Sequence, residues 1–182
     1  MSKYLPNPNE PWNVAPKDPN GDPDIDDTYR AVGYALTRWA EVENILSLLF
    51  SQIVGTNRLI GHRIYGSIIQ SSGRGDLLVA AAQGRFFNNQ ALLDEILTLT
   101  SIVGKFAARR NEFAHGATHN YVNGAYLAPP YSDTRKKRDL IGIEEKYRYN
   151  STQILYYAEE FKKLANEAFA LLQKVPSQPH GQ

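Results

Sequence analysis

Apolar residues recur at Val32, Leu36, Trp39, Val42, Leu46, Leu49 and Ile53, in steps of three and four that place them on one face of an α-helix. Asp24, Asp26 and Asp27 stand ahead of this stripe, where carboxylates meet the positive end of the helix dipole, and Gly55 follows it as a stop. In water, most of the stability of such a helix comes from tertiary cover over its stripe. The rest of the chain must therefore supply apolar faces of matching length.

Three further segments do so. Beyond a cap at Thr56 or Asn57, Leu59, Ile60, Ile64, Ile68 and Ile69 lead on to Leu77, Leu78 and Ala81. Ser71-Ser72-Gly73-Arg74-Gly75 interrupts this run, and each glycine costs about 1 kcal/mol relative to alanine inside a helix. We read the segment as one long imperfect helix. Its Gly-Arg-Gly lacks the full pattern of a phosphate-binding loop and any preceding strand. A third helix is capped by Asn88-Asn89 and striped by Leu92, Ile96, Leu99, Val103 and Phe106, and its stripe continues onto Arg110 and Phe113. Gly104, Ala108, Asn111 and His115 form a neighbouring line whose small residues would let a second subunit approach. The last helix carries Ile154, Ala158, Phe161, Ala165, Ala168 and Leu172 and fades at Pro176. Asn150-Ser151-Thr152 reads as its cap rather than as a glycosylation site.

Between the third and last helices the helical period is lost. Tyr121 to Leu127 reads as a hairpin turning at Asn123-Gly124, Pro129-Pro130 ends it, and Arg135-Lys136-Lys137-Arg138 forms a basic loop. At the other end, Pro6, Pro8, Pro11, Pro16, Pro19 and Pro23 oppose regular structure, and Trp12 is the one large apolar anchor among them. The expected architecture is all-α: an up-and-down four-helix bundle with a short β-hairpin insert before the last helix and a disordered or extended N-terminal tail. Its expected boundaries are a proline-rich tail over 1–24, a bundle over 25–176 with the insert at 118–149, and a C-terminal tail over 177–182.

Composition narrows the chemistry. With 182 residues, 42% of them hydrophobic, the chain suits one domain with tails. No cysteine is present, which excludes disulfides and thiolate metal sites. A net charge of +1 leaves any nucleic-acid contact to a local basic patch. The first residues lack the apolar run of a secretory signal, and no apolar run is long enough to span a bilayer. A cytoplasmic protein with no membrane partner is the expectation.

The candidate site lies where the third helix closes, in Arg109-Arg110-Asn111-Glu112-Phe113-Ala114-His115-Gly116. Histidine, with an unperturbed pKa of ~6.5, can move protons near neutral pH. Arginine offers a planar fork matched to two phosphate oxygens and keeps its proton. Asn111 can bond phosphate or fix the histidine ring, and Glu43, on the edge of the first apolar face, can hold Arg110 while substrate is absent. On one ideal helix, however, Arg110 and His115 diverge by about 140°. Either the helix loosens before Gly116 or a two-fold dimer brings two motifs to one cleft.

Written as R-N-x-x-x-H, Arg110 to His115 resembles the signature of the HEPN superfamily, small helical bundles that include many metal-independent ribonucleases. Leu36-Thr37-Arg38-Trp39-Ala40-Glu41-Val42-Glu43 is similar to the first helix of small bacterial members. The resemblance implies a homodimer whose paired motifs line a cleft, with RNA as substrate. It also implies a toxin or phage-defence role, with an antitoxin or other regulatory protein as a further partner and no cofactor or metal. Some HEPN toxins carry a modifiable tyrosine two residues beyond the histidine; here that position is Ala117.

Plainer readings accompany each residue. Arg110 can form a structural ion pair with Glu43 or Glu112, and His115 can satisfy the last carbonyls of its helix. His115 and His119 have the spacing of a metal pair, but Gly116 should end the helix between them, and a third ligand is lacking. His62 is expected on a helix surface, and Trp39, Tyr156, Tyr157 and Phe161 in the core. The alternatives to an endoribonuclease are a non-catalytic HEPN-like module binding nucleotide, RNA or protein through the same cleft, and a structural dimer.

Overall fold

A computed structural model describes residues 15, 18–128 and 148–177. Trp12, Pro129-Pro130, the basic run Arg135 to Arg138 and the stretch from Leu140 as far as residue 147 lie outside the described residues. The protein is mostly helical, with a two-stranded antiparallel hairpin before the last helix. In chain order the elements are α1 (Ile25–Val54), α2 (Arg58–Ser67), α3 (Ser71–Arg85), α4 (Gln90–His115), β1 (Ala117–Tyr121), β2 (Gly124–Ala128) and α5 (Ser151–Lys174).

Helix ends fall where backbone chemistry requires. Gly55 adopts φ 68°, and the amides of Gly55 and Thr56 bond back to Gln52 O and Ser51 O, closing α1 in a Schellman arrangement. Asn57 caps α2 by accepting from the Ile60 amide at 2.9 Å. Asn89 does the same for the Leu92 amide of α4 at 3.2 Å. At α5, Asn150 Oδ1 accepts from the Gln153 amide at 3.0 Å while Gln153 Oε1 accepts from the Asn150 amide at 3.1 Å, a reciprocal capping box.

The second expected helix is two helices, and the break is not at the glycines. Ile68 is extended (φ −81°, ψ 112°), and so is Gln70, the residue before α3. Gly73 and Gly75 lie inside the opening turns of α3. Arg74 explains the position of the joint: its Nε donates to the Ile68 carbonyl at 2.7 Å and its Nη1 to Glu43 Oε2 at 2.7 Å, so one guanidinium satisfies the freed carbonyl and ties the joint to α1.

The described residues form two compact units. The first comprises 40–107 and 162–177. Its buried residues include Val42, Leu46, Leu49 and Ile53 of α1, Leu78 and Ala82 of α3, Ile96, Leu99, Ile102 and Phe106 of α4, and Leu164, Ala168 and Leu171 of α5. Arg85 closes the end of α1 by donating to Gln52 O and to Ile53 O (2.8 Å) through Nη1, and to Pro176 O (2.6 Å) through Nη2. Helix α2 approaches α1 so closely that a Cβ on Gly61 would lie 2.0 Å from Ser51 Oγ and 2.9 Å from Ser51 Cα. Gly61→Ala should therefore cost about 1–3 kcal/mol. Urea unfolding checks this, and an unchanged midpoint would refute the close approach.

The second unit comprises 15, 18–39, 108–128 and 148–161. Its core is aromatic: Phe113 lies 5.3 Å from Tyr149, 5.7 Å from Tyr157 and 6.3 Å from Phe161 between ring centroids, and Trp39 meets Phe161 edge-on at 5.2 Å. The hairpin pairs Tyr121 with Gly124 and Ala117 with Ala128, so its turn is Val122-Asn123 and Gly124 opens β2. The expected turn was one residue too late. Gly124 takes φ 117°, and a Cβ there would sit 2.6 Å from the Gly21 carbonyl carbon. Gly21 and Asp22 run alongside: the Gly21 amide donates to Asn123 O at 2.8 Å, and Asp22 bridges Ala125. The last residues before α1 are thus built into the hairpin.

Candidate functional site at the end of α4

Helix α4 stays regular to its last residue. The Gly116 amide donates to Glu112 O at 2.9 Å, continuing the i to i−4 ladder past His115. A Cβ on Gly116 would meet Glu112 O and Leu127 Cδ1 at 2.8 Å, so glycine here permits the hairpin to close on the helix end. Of the two ways to bring Arg110 and His115 together, loosening of the helix is not seen. The side chains leave the axis about 140° apart.

Phe113, 1% exposed, sets the rotation of this turn, because its burial dictates where its neighbours point. Arg109 is consumed structurally. Its Nη1 donates to Glu112 Oε2 at 2.5 Å and to Tyr149 Oη at 2.9 Å, while Tyr149 Oη donates to Glu112 Oε2 at 2.7 Å. Burial, reinforced by the Glu112 carboxylate, pushes the Tyr149 phenol well above its ordinary value. Burial opposes the charge on Arg109, yet Tyr149 and Glu112 outweigh it and raise its pKa. The sequence held one clue to this triangle, the i, i+3 spacing of Arg109 and Glu112; Tyr149 lies too far along the chain to be foreseen.

Arg110 is half-buried. Its Nη1 donates to Asn111 Oδ1 at 2.9 Å, and its guanidinium carbon lies 5.9 Å from the Trp39 ring centroid. The structure thus joins Arg110 to Asn111 and places His115, exposed, at the tip of the same helix. On the same helix Gly104 and Ala108 are exposed, and a Cβ on Gly104 would meet nothing within 4 Å. Glu43 belongs to the other unit, where it bonds Arg74. His119 is on β1, its ring 6.3 Å from that of Tyr121. Among the described residues no three His, Asp or Glu side chains gather where a metal ion could be held.

The Glu43–Arg74 pair also bears on Tyr65, whose pKa is pushed up to about 12 by burial first, then by Glu43, against an opposing Arg74. An unfolded tyrosine ionises near 10.0, so above that pH the folded form retains a proton that the unfolded form has lost. The stability due to the neutral phenol is whole below the unfolded value and drains as pH rises towards the folded one. Urea midpoints should hold to about pH 10 and then fall, and Tyr65→Phe should flatten part of that fall. Identical alkaline profiles for the two proteins would contradict this.

No family model matches the chain, and no characterised protein or solved structure matches it either.

Proposed function

We propose that this protein is a HEPN-like, metal-independent endoribonuclease that acts as a homodimer in the cytoplasm. In this reading α2 and α3 together take the place of one helix of an up-and-down four-helix bundle. The observation that carries the proposal is the arrangement closing α4: an exposed His115 on the same regular helix as a half-buried Arg110 that donates to Asn111 and lies by the Trp39 ring. Because the two side chains diverge, one phosphate is gripped by groups of two chains, with the two α4 ends facing across a two-fold axis.

The chemistry follows from the residues. His115 removes the 2′-hydroxyl proton, the 2′-oxygen attacks phosphorus, and the P–O5′ bond breaks as the 5′-oxygen takes a proton from water, giving a 2′,3′-cyclic phosphate. Arg110 exchanges Asn111 Oδ1 for phosphate oxygens and stabilises the added charge, and Asn111 is freed to bond phosphate or the imidazole. Glu43 bonds Arg74 within its own unit, so the counter-charge role that the sequence offered it rests on the HEPN resemblance alone. A toxin or phage-defence role, with an antitoxin or regulator as partner, rests on the HEPN resemblance alone.

A second reading, a module that binds RNA or nucleotide without cleaving it, is favoured by the unbroken helix, which keeps Arg110 and His115 of one chain apart. One assay separates the two. The purified protein is incubated with mixed RNA in EDTA and the product ends are analysed. Cyclic-phosphate ends support the nuclease, whereas retention of intact RNA supports the binding module.

A further inference from the structure

Helix α2 turns a small face inward and an apolar one outward. Gly61 and Tyr65 are its buried residues, while Leu59, Ile60 and Ile64 are 65%, 48% and 44% exposed, and Ile69 just beyond its end is 92% exposed. Isolated apolar residues at a surface are ordinary, but several on one short segment mark a contact. Along the chain itself the formal charge here has one sign. From Asn44 to Gly75 the chain contains no aspartate or glutamate, yet it carries Arg58, His62, Arg63 and Arg74. Arg74 is engaged by Glu43, whereas Arg58 and Arg63 are exposed. Arg58 and Leu59 also border a cleft of about 700 Å³ whose walls include Leu48, Phe169 and Leu172 and no carboxylate.

A second copy of the chain fits this face badly, since a two-fold contact would set the same arginines against each other. Nucleic acid would use the arginines and leave the isoleucines without purpose. An anionic bilayer uses both: aliphatic tips enter the acyl boundary while guanidinium groups reach back to lipid phosphates. No helix among the described residues is long and apolar enough to cross a membrane, so the contact is with the surface. We propose that α2 docks the protein onto the surface of an anionic lipid bilayer, with Leu59, Ile60, Ile64 and Ile69 entering the interface and Arg58 and Arg63 holding lipid phosphates.

The test is co-sedimentation of the full chain with vesicles of phosphatidylcholine, with and without phosphatidylserine. Wild type is expected to sediment only with the serine lipid present. Partitioning should fall by about tenfold or more in Arg58→Gln/Arg63→Gln and in Leu59→Ser/Ile64→Ser. All four substitutions fall on exposed positions, so circular dichroism should be unaltered. Absence of serine-dependent binding, or equal binding by both variants, overturns the proposal. So does concentration-dependent self-association that Leu59→Ser/Ile64→Ser abolishes without any vesicle binding, which would assign the face to a second copy.

Discussion

Arg110→Ala and His115→Ala are each expected to lower RNA cleavage by about 10²–10⁴-fold while leaving the helical circular dichroism signal intact. Both parts of this expectation come from the geometry. His115 is exposed at the end of α4, so truncating it removes no core contact. Among its contacts, Arg110 gives up a bond to the neutral Asn111 and its place by the Trp39 ring, these two worth about 1–2 kcal/mol. Arg109→Ala is the informative contrast. It opens the triangle with Glu112 and Tyr149, leaving a part-buried carboxylate and phenol without their cation, and should cost about 2 kcal/mol of stability. Loss of activity there should track unfolding, whereas at Arg110 and His115 it should not. Mixed dimers of the Arg110 and His115 variants should recover part of the activity, because such a dimer still holds one intact copy of each group. Full activity in both single variants would remove the ribonuclease proposal and leave the binding reading.

Asp22→Ala is expected to produce the largest loss of stability, about 3 kcal/mol, seen as a fall in thermal midpoint on the order of 10 °C. Asp22 is only 6% exposed, and its carboxylate has three donors. Oδ2 accepts from Thr28 Oγ1 at 2.5 Å and from the Ser151 amide at 2.8 Å, and Oδ1 accepts from Ser151 Oγ at 2.6 Å. One side chain therefore satisfies an orphan amide at the start of α5, fixes a hydroxyl in the first turn of α1, and anchors the strand that bridges Ala125. Alanine would leave those donors buried with nothing to accept them. Asp22→Asn should lie between wild type and alanine, since its oxygen can replace one acceptor while its amino group opposes another donor. A midpoint for Asp22→Ala within a degree or two of wild type would show that the junction is not held this way.

The helices were legible because their signals are local. The apolar period of α1, the Schellman glycine at Gly55 and the asparagines at Asn57, Asn89 and Asn150 act within a few residues of themselves, and each stands where the pattern placed it. The α2–α3 break was misplaced for a complementary reason. Glycine content counts only helix propensity, while the site of the break is set by Arg74 meeting a carboxylate on α1, 31 positions earlier in the chain. The same limit applies to Asp22, whose proline-rich surroundings read as tail although its partners lie on α1, the hairpin and α5.

At the candidate site, the amino-acid order by itself determined that an arginine, an amide and a histidine close one amphipathic helix, because helical spacing is a property of neighbours along the chain. Only the tertiary structure decided which arginine is tied to Glu112 and Tyr149. Phe113 enters an aromatic core, Arg109 is thereby drawn to Tyr149, and Arg110 is left beside Trp39 with His115 in solvent. That choice depends on residues 36 and more positions away, brought within bonding distance by burial, and no local pattern encodes it.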